Sequence, residues 1–492
     1  MEAKPIATKT EVLISLFLSL FYIVFLWGMW SREVFALGIN LTVYLVLITL
    51  FFVWRLREDN KYSTSDLTWI APLLLIALSF SIYENPFFKL FALLVFPVAL
   101  SVFYTYAWVE KKKEIDWDTL FISKVVIHIL SFLTFLNAGV RLLFSTVYNK
   151  EETEAGTVKR VLIGILILSF SLLIVIPLLS SADPLFASKL KPFYEAITNV
   201  LSAEIVAKII VFTVLSIGTI TALIAWGRPH QIENSTKEVN RDTVITSIVL
   251  GGIFVVYILF LWIQIDRLWV GTLPVDFKET ESLVKSGFWQ LLLLSIINLG
   301  IFFFLYRKTD YLGQKVLGLF SLASILLLVS SAQRMILYVT YHGFSYEKFY
   351  ASYTVLFCMV LFLWLISRLF VSKKTNIVKF LAFQFLWMFS LASIFPVEFF
   401  IIKSNMALVT KPNSKIQLFE MTMLSPDVLT QVKKYKEEGK LKEEILQTVI
   451  LPNGEIQEVK VERDWSPWIE KQEKIVQSKK WYEYTLSTYI ID

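Results

Sequence analysis

Residues 159–187 read KRVLIGILILSFSLLIVIPLLSSADPLFA. A basic pair, Lys159-Arg160, opens the stretch, and an apolar run follows that bends at Pro177 and ends abruptly at Ser180-Ser181-Ala182-Asp183-Pro184. A helix rising 1.5 Å per residue needs about 20 apolar residues to cross a hydrocarbon layer of about 30 Å, and this run supplies them. The stretch reads as a membrane crossing with a polar exit. The rest of the chain repeats the pattern, which makes it an all-α polytopic membrane protein.

Composition agrees. Of 492 residues, 56% are hydrophobic, 15% aromatic and only 18% charged, with a mean hydropathy of +0.63. Such a chain has too many long apolar runs to hide in water-soluble cores. The net charge of +6 sits in short loops between crossings, since acids and bases roughly balance beyond Lys403. Basic loops of this kind set membrane orientation, so no nucleic-acid partner is expected. The single cysteine, Cys358, lies in an apolar run, and His128, His230 and His342 are far apart in the chain. No intrachain disulfide, metal site or cofactor is therefore expected. Neither a phosphate-binding glycine loop nor an HExxH motif occurs, and an enzymatic role is not expected.

Residues 1–113 form an N-terminal block of four crossings, Val12–Trp30, Val34–Trp54, Leu67–Tyr83 and Phe87–Val109. The first is too long for a cleaved signal, carries Trp27 and Trp30 and lacks a small-x-small site. Basic residues gather at Lys4 and Lys9, at Arg55, Arg57 and Lys61, and at Lys111-Lys112-Lys113, with only Arg32 and Lys89 opposite. The amino terminus is thus expected in the cytoplasm. Residues 114–158 read as an amphipathic or re-entrant segment with a linker. Within Phe121–Val147, Lys124, His128, Ser131, Thr134, Asn137, Arg141 and Ser145 recur at helical spacing as a polar stripe. Eleven crossings follow if this segment lies in the interface, and twelve if it spans.

Residues 159–402 form a seven-crossing core: Val161–Leu179, Ile205–Trp226, Val244–Ile265, Gly287–Tyr306, Val316–Val339, Phe349–Val371 and Ile377–Ile402. Residues 403–492 read as a small C-terminal α+β soluble domain, expected outside the cytoplasm. Ser425-Pro426-Asp427 and Ser466-Pro467 start helices, and Pro452-Asn453-Gly454 joins the strands Ile445–Leu451 and Glu455–Glu462.

The run Ile176 to Ala187 resembles the hallmark of a bacterial membrane family, domain of unknown function 4173, whose relative is numbered 4153. Further matches are Gly287-Phe288-Trp289-Gln290-Leu291, Arg334-Met335 with Leu337-Tyr338 and Tyr341-His342-Gly343, and Leu424-Ser425-Pro426-Asp427. Glu398-Phe399-Phe400-Ile401-Ile402-Lys403-Ser404-Asn405 is similar to the family's Asp-Ala-Leu-Ile-Ala-Arg-Tyr-Asn. The family has Asn-Pro before that Asp, whereas here Val397 separates Pro396 from Glu398. The resemblance covers roughly residues 159–427 and implies location and architecture, not an activity.

Several crossings deliver polar residues to one boundary: Asp183, Asp266 with Arg267, Arg334 with Tyr338 and His342, and Glu398. This is the candidate polar cluster. Arg334 and Glu398, each about one turn inside a helix end, either pair or reach water separately. Gly318, Ser321, Ser324 and Ser331 form a small-residue stripe, read as packing rather than solute lining. Asn298 and Gln384 are expected to bond between helices. The expected role is a non-enzymatic bacterial envelope scaffold or sensor, with a solute transporter as the alternative. Its expected partners are the lipid bilayer and an envelope protein bound through the C-terminal domain.

Overall fold

A computed structural model describes residues 9–30, 36–108, 125–126, 136–147, 203–226, 242–268, 277–306, 308–370, 376–412, 414–441, 444–450, 456–462 and 464–489. Among them, ten helices are long and apolar enough to cross a membrane. They begin with α1 (Lys9–Phe21, continued to Trp30 by tighter and wider turns), α2 (Ile39–Glu58), α3 (Leu67–Ile82) and α4 (Pro86–Trp108). A shorter helix, α5 (Leu136–Val147), packs on α1 and on α6 (Ala203–Trp226). Then come α7 (Thr243–Leu268), α8 (Phe277–Leu305), α9 (Tyr311–His342), α10 (Tyr346–Leu369) and α11 (Ile377–Ile394). The crossing expected at Val161–Leu179, with its polar exit, lies outside the described residues, as does most of the stretch 121–135.

Two large apolar clusters fill most of the bundle, and a small one of Val12, Leu143, Ile220 and Ile224 joins α1, α5 and α6. One large cluster joins α2, α3 and α4, and takes in Leu386 and Ala392 of α11. The other joins α7 to α10 through side chains such as Phe288, Phe320, Leu327 and Phe362. Polar residues inside this second bundle find one another, as burial in an apolar medium demands. Tyr257 donates to Asn298 Oδ1 at 2.7 Å, Asn298 Nδ2 donates to Ser324 Oγ at 2.9 Å, and Gln384 Nε2 donates to the Phe357 carbonyl at 2.9 Å. Both expected interhelical contacts are present. Ser321, Ser324 and Ser331 are buried, in keeping with a packing stripe.

Expected and observed ends agree within a few residues for most crossings, with three informative exceptions, the first being α8, which begins at Phe277, ten residues before the expected Gly287. At 32 residues, α9 spans about 48 Å and so outruns the hydrocarbon layer. The stretch read as one crossing from Ile377 to Ile402 is two helices. Phe395 is extended (ψ 136°) because a residue ahead of proline is driven out of the α region, and Pro396 then caps α12 (Val397–Leu408). Glu398 therefore sits in the first turn of a new helix and not one turn inside a crossing.

The turn between α9 and α10 is held from α12. Gly343 takes φ +70°, a region that L side chains avoid, and its N–H closes α9 on the Val339 carbonyl at 2.8 Å. Asn405 then clasps the next residue, accepting from Phe344 N at 2.6 Å and donating to its carbonyl at 2.9 Å.

The C-terminal segment is not a domain set apart with its own core. A short 3-10 turn capped by Ser425 leads into α13 (Leu429–Glu437), and Pro467 opens α14 (Ser466–Gln477) as the sequence suggests. Between them β1 (Glu444–Ile450) and β2 (Ile456–Glu462) form an isolated antiparallel pair. Val428, Leu429, Val432 and Trp465, however, pack in one cluster with Val397, Ile401 and Ile402 of α12. A segment of this size buries too little on its own, and the bundle completes it. A last short helix, α15 (Leu486–Tyr489), ends the described chain. Just before it, Ile39 N donates to the Tyr484 carbonyl at 3.2 Å, tying the segment back to the start of α2.

Candidate functional site

The turn between α3 and α4, Tyr83-Glu84-Asn85, meets the C-terminal segment in a buried ionic junction. Glu84 Oε2 lies 3.0 Å from Lys89 Nζ, one turn into α4, and Oε1 pairs with Lys479 Nζ from just beyond α14. Glu84 is fully buried and the two lysines are each 3% exposed. Lys89 also donates to the Leu37 carbonyl, so a single ammonium ties α4 to the entry of α2. The backbone N–H of Glu84 donates to both oxygens of Asp427 at 2.8 Å, and Ser487 Oγ donates to Asp427 Oδ1.

Glu398 extends the junction. Its Oε1 accepts from the Tyr346 hydroxyl, and its Oε2 accepts from Ser425 N and Oγ, each at 2.8 Å. Both Glu398 and Asp427 line a narrow cleft with about 10 Å³ open to the centre of a water molecule, space for one water. Burial pushes the Glu398 carboxyl up to about 8, and the nearby Asp427 charge adds to that; burial followed by the Glu84 charge raises Asp427 to about 6. Burial also lowers Lys479, against the pull of Glu84. The physical reason is one of balance. Three carboxylates and two ammonium groups share one water-poor space, and with one negative charge in excess the space favours proton uptake by Glu398 and Asp427.

Of the residues singled out in the sequence, Glu398 belongs to this junction. Asp183 lies outside the described residues, and Asp266 and Arg267 fall in the last turn of α7. Arg334 is buried in α9, where its guanidinium occupies the space beside Gly287 of α8. Tyr338 and His342 follow on α9 with ring centroids 5.0 Å apart, and Lys348 Nζ sits 4.7 Å from the Tyr338 centroid. Glu84, Lys89, Asp427, Lys479 and Ser487 are the junction residues that sequence reasoning missed. The available signal was Lys89, a lone cation beside a lone acid at the end of an apolar run, which lipid tolerates only with a partner.

The Gly287 contact carries a first prediction. A Cβ at 287 would fall on the Arg334 guanidinium, so Gly287→Leu is expected to push that side chain out of place at a cost of about 1–3 kcal/mol. Thermal unfolding in detergent should show a lower Tm, with Gly287→Ala intermediate; an unchanged Tm for the leucine variant would refute the close approach.

The family described as Domain of unknown function (DUF4153) matches residues 70–435, well over half of the 492. The chain belongs to this family. It is the second of the two families named in the sequence analysis. No curated protein and no solved structure matches the chain. The DUF4153 span contains Glu84, Lys89, Glu398 and Asp427, whereas Lys479 and Ser487 lie beyond it. Two of the quoted motif runs, those at Gly287 and Arg334, meet in the contact just described.

Proposed function

We infer that the protein is a non-enzymatic scaffold of the bacterial envelope, built as a helical membrane bundle whose outer rim is closed by its own mixed α and β C-terminal segment. The observation that carries this is the Glu84 junction. Lys479, Asp427 and Ser487, all from the C-terminal segment, occupy the polar positions at the α3–α4 turn that a solute vestibule would have to leave open. Within the segment, Trp468 donates to the Thr422 carbonyl at 2.8 Å and braces α14 against the turn before Ser425. The basic residues Arg55, Arg57 and Lys61 at the opposite ends of α2 and α3 support a cytoplasmic reading of that end, and with it an outer rim and C-terminal segment. Met423, Trp481 and Tyr489 of that segment are well exposed and offer an envelope protein apolar contacts.

The test is chemical access in intact cells. In a chain with Cys358→Ser, a single cysteine at Ser425→Cys should resist a membrane-impermeant maleimide, because Ser425 is buried and α14 and α15 pack on the turn that follows it. Removal of residues after 464 should expose it to the reagent. Rapid labelling of the full-length chain would favour an open vestibule and thus the transporter. Labelling of the shortened chain only from the cytoplasmic side would reverse the orientation.

A further inference from the structure

The end of the bundle opposite the junction holds a cavity of about 410 Å³ that the scaffold reading leaves unused. Its walls are the start of α3, the end of α4, the end of α10 and the start of α11, represented by Trp69, Tyr106, Trp364, Arg368, Asn376 and Lys379. Its volume falls in the range that holds small molecules or headgroups. Two cations line it, and among the described residues no carboxylate does. Asp66, the nearest acid in sequence, is turned to its own helix start, where its Oδ2 accepts from Ser63 N at 2.9 Å.

Both cations have donors to spare. Arg368 lies 5.1 Å from the Trp364 ring centroid, and its Nε is buried without a hydrogen-bond partner among the described residues. Lys379 donates to the Tyr106 hydroxyl at 3.1 Å and lies 4.8 Å from that ring, which among the described residues leaves two of its three N–H groups uncommitted. The walls are stiff: Trp364 and Phe380 stack with centroids 3.6 Å apart, and Trp69 packs edge-on to Phe383. The positive end of α11, capped by Asn376, opens onto the same space.

We propose that this cavity binds the phosphate of an anionic phospholipid headgroup, held by Arg368 and Lys379 and walled by aromatic rings. The geometry favours a lipid over a soluble phosphate. The four walls are helix ends of membrane crossings, so the cavity lies at the depth where headgroups sit, and aromatic rings at that depth suit glycerol and the first methylenes. Basic pockets between crossing helices on the cytoplasmic side are a recurrent means of holding anionic headgroups.

Native mass spectrometry of the full-length protein in detergent, titrated with phosphatidylglycerol or phosphatidylcholine, tests this. The wild type should retain one phosphatidylglycerol at least about tenfold more tightly than phosphatidylcholine, and Arg368→Gln with Lys379→Gln should abolish that preference. Thr68→Trp fills the cavity with both charges kept and should release the lipid too. Lys315→Gln, on the same face outside the cavity, should change nothing. Equal retention by the double variant and by Thr68→Trp overturns the site. A Tm rise with glycerol 3-phosphate matching that with phosphatidylglycerol overturns the lipid in favour of a soluble phosphate. Unchanged lipid-free Tm in the variants will show that lost binding is not lost folding.

Discussion

Glu84→Ala is expected to release the C-terminal segment from the bundle. The substitution removes the one carboxylate that Lys89 and Lys479 share, and both ammonium groups stay buried where water does not reach them. Breaking a buried ion pair by deleting one partner typically costs about 3–5 kcal/mol, because an uncompensated charge is left behind. Here one deletion takes the hydrogen-bonded carboxylate from two ammonium groups and leaves only the more distant Asp427 and Glu398 to balance them, so an effect within that range is expected. The chain relieves this most readily by undocking Lys479, which carries Ser487 away from Asp427 and loosens the link between Tyr484 and Ile39. Hydrogen exchange should show residues 466–489 losing most of their protection while α8 to α10 keep theirs. Adding Lys479→Met to Glu84→Ala should restore part of the protection, since an apolar side chain of similar length needs no partner. Wild-type protection in Glu84→Ala would remove the junction's structural role.

The sequence shows the membrane helices well and the junction poorly, and one cause explains both. A crossing is a local property: apolar residues in sufficient number make one wherever they occur, as the close agreement of Phe87–Val109 with Pro86–Trp108 shows. Local chemistry also announced the helix starts at Ser425 and Ser466. The junction is nonlocal. Glu84 meets Asp427 across 343 residues and Lys479 across 395, and nothing in a helix's own apolar pattern records which neighbour touches its end. Glu398 was legible as a costly charge near a boundary, but Tyr346 and Ser425, which satisfy it, gave no sign. Pro396 was visible throughout. Its consequence was missed because the apolar run continues unbroken past it, and hydropathy alone does not register a backbone break.

Docking of the C-terminal segment is also expected to weaken as pH rises. The folded state pushes Glu398 up to about 8 from 4.5, chiefly through burial, so the docked form binds its proton more tightly than the free form does. Where the folded state holds more protons, stability falls with increasing pH. The favourable contribution is fully present below about 4.5 and is lost as pH rises through about 8, an effect on the order of a few kcal/mol. Asp427 has the same sign with a lower midpoint of about 6, so the two together spread the loss across the neutral range. Lys479, lowered by burial, opposes this trend, since its ammonium is the form that docking disfavours. Exchange protection of residues 481–489, corrected for the intrinsic rate at each pH, should therefore decline between pH 6 and pH 9. Glu398→Gln keeps an acceptor for Ser425 and a polar partner for Tyr346 but has no proton to lose, so it should flatten the upper part of the profile and leave only the Asp427 step. A profile of wild-type shape in Glu398→Gln, or protection that rises with pH in the wild type, would show that the Glu398 proton does not govern docking.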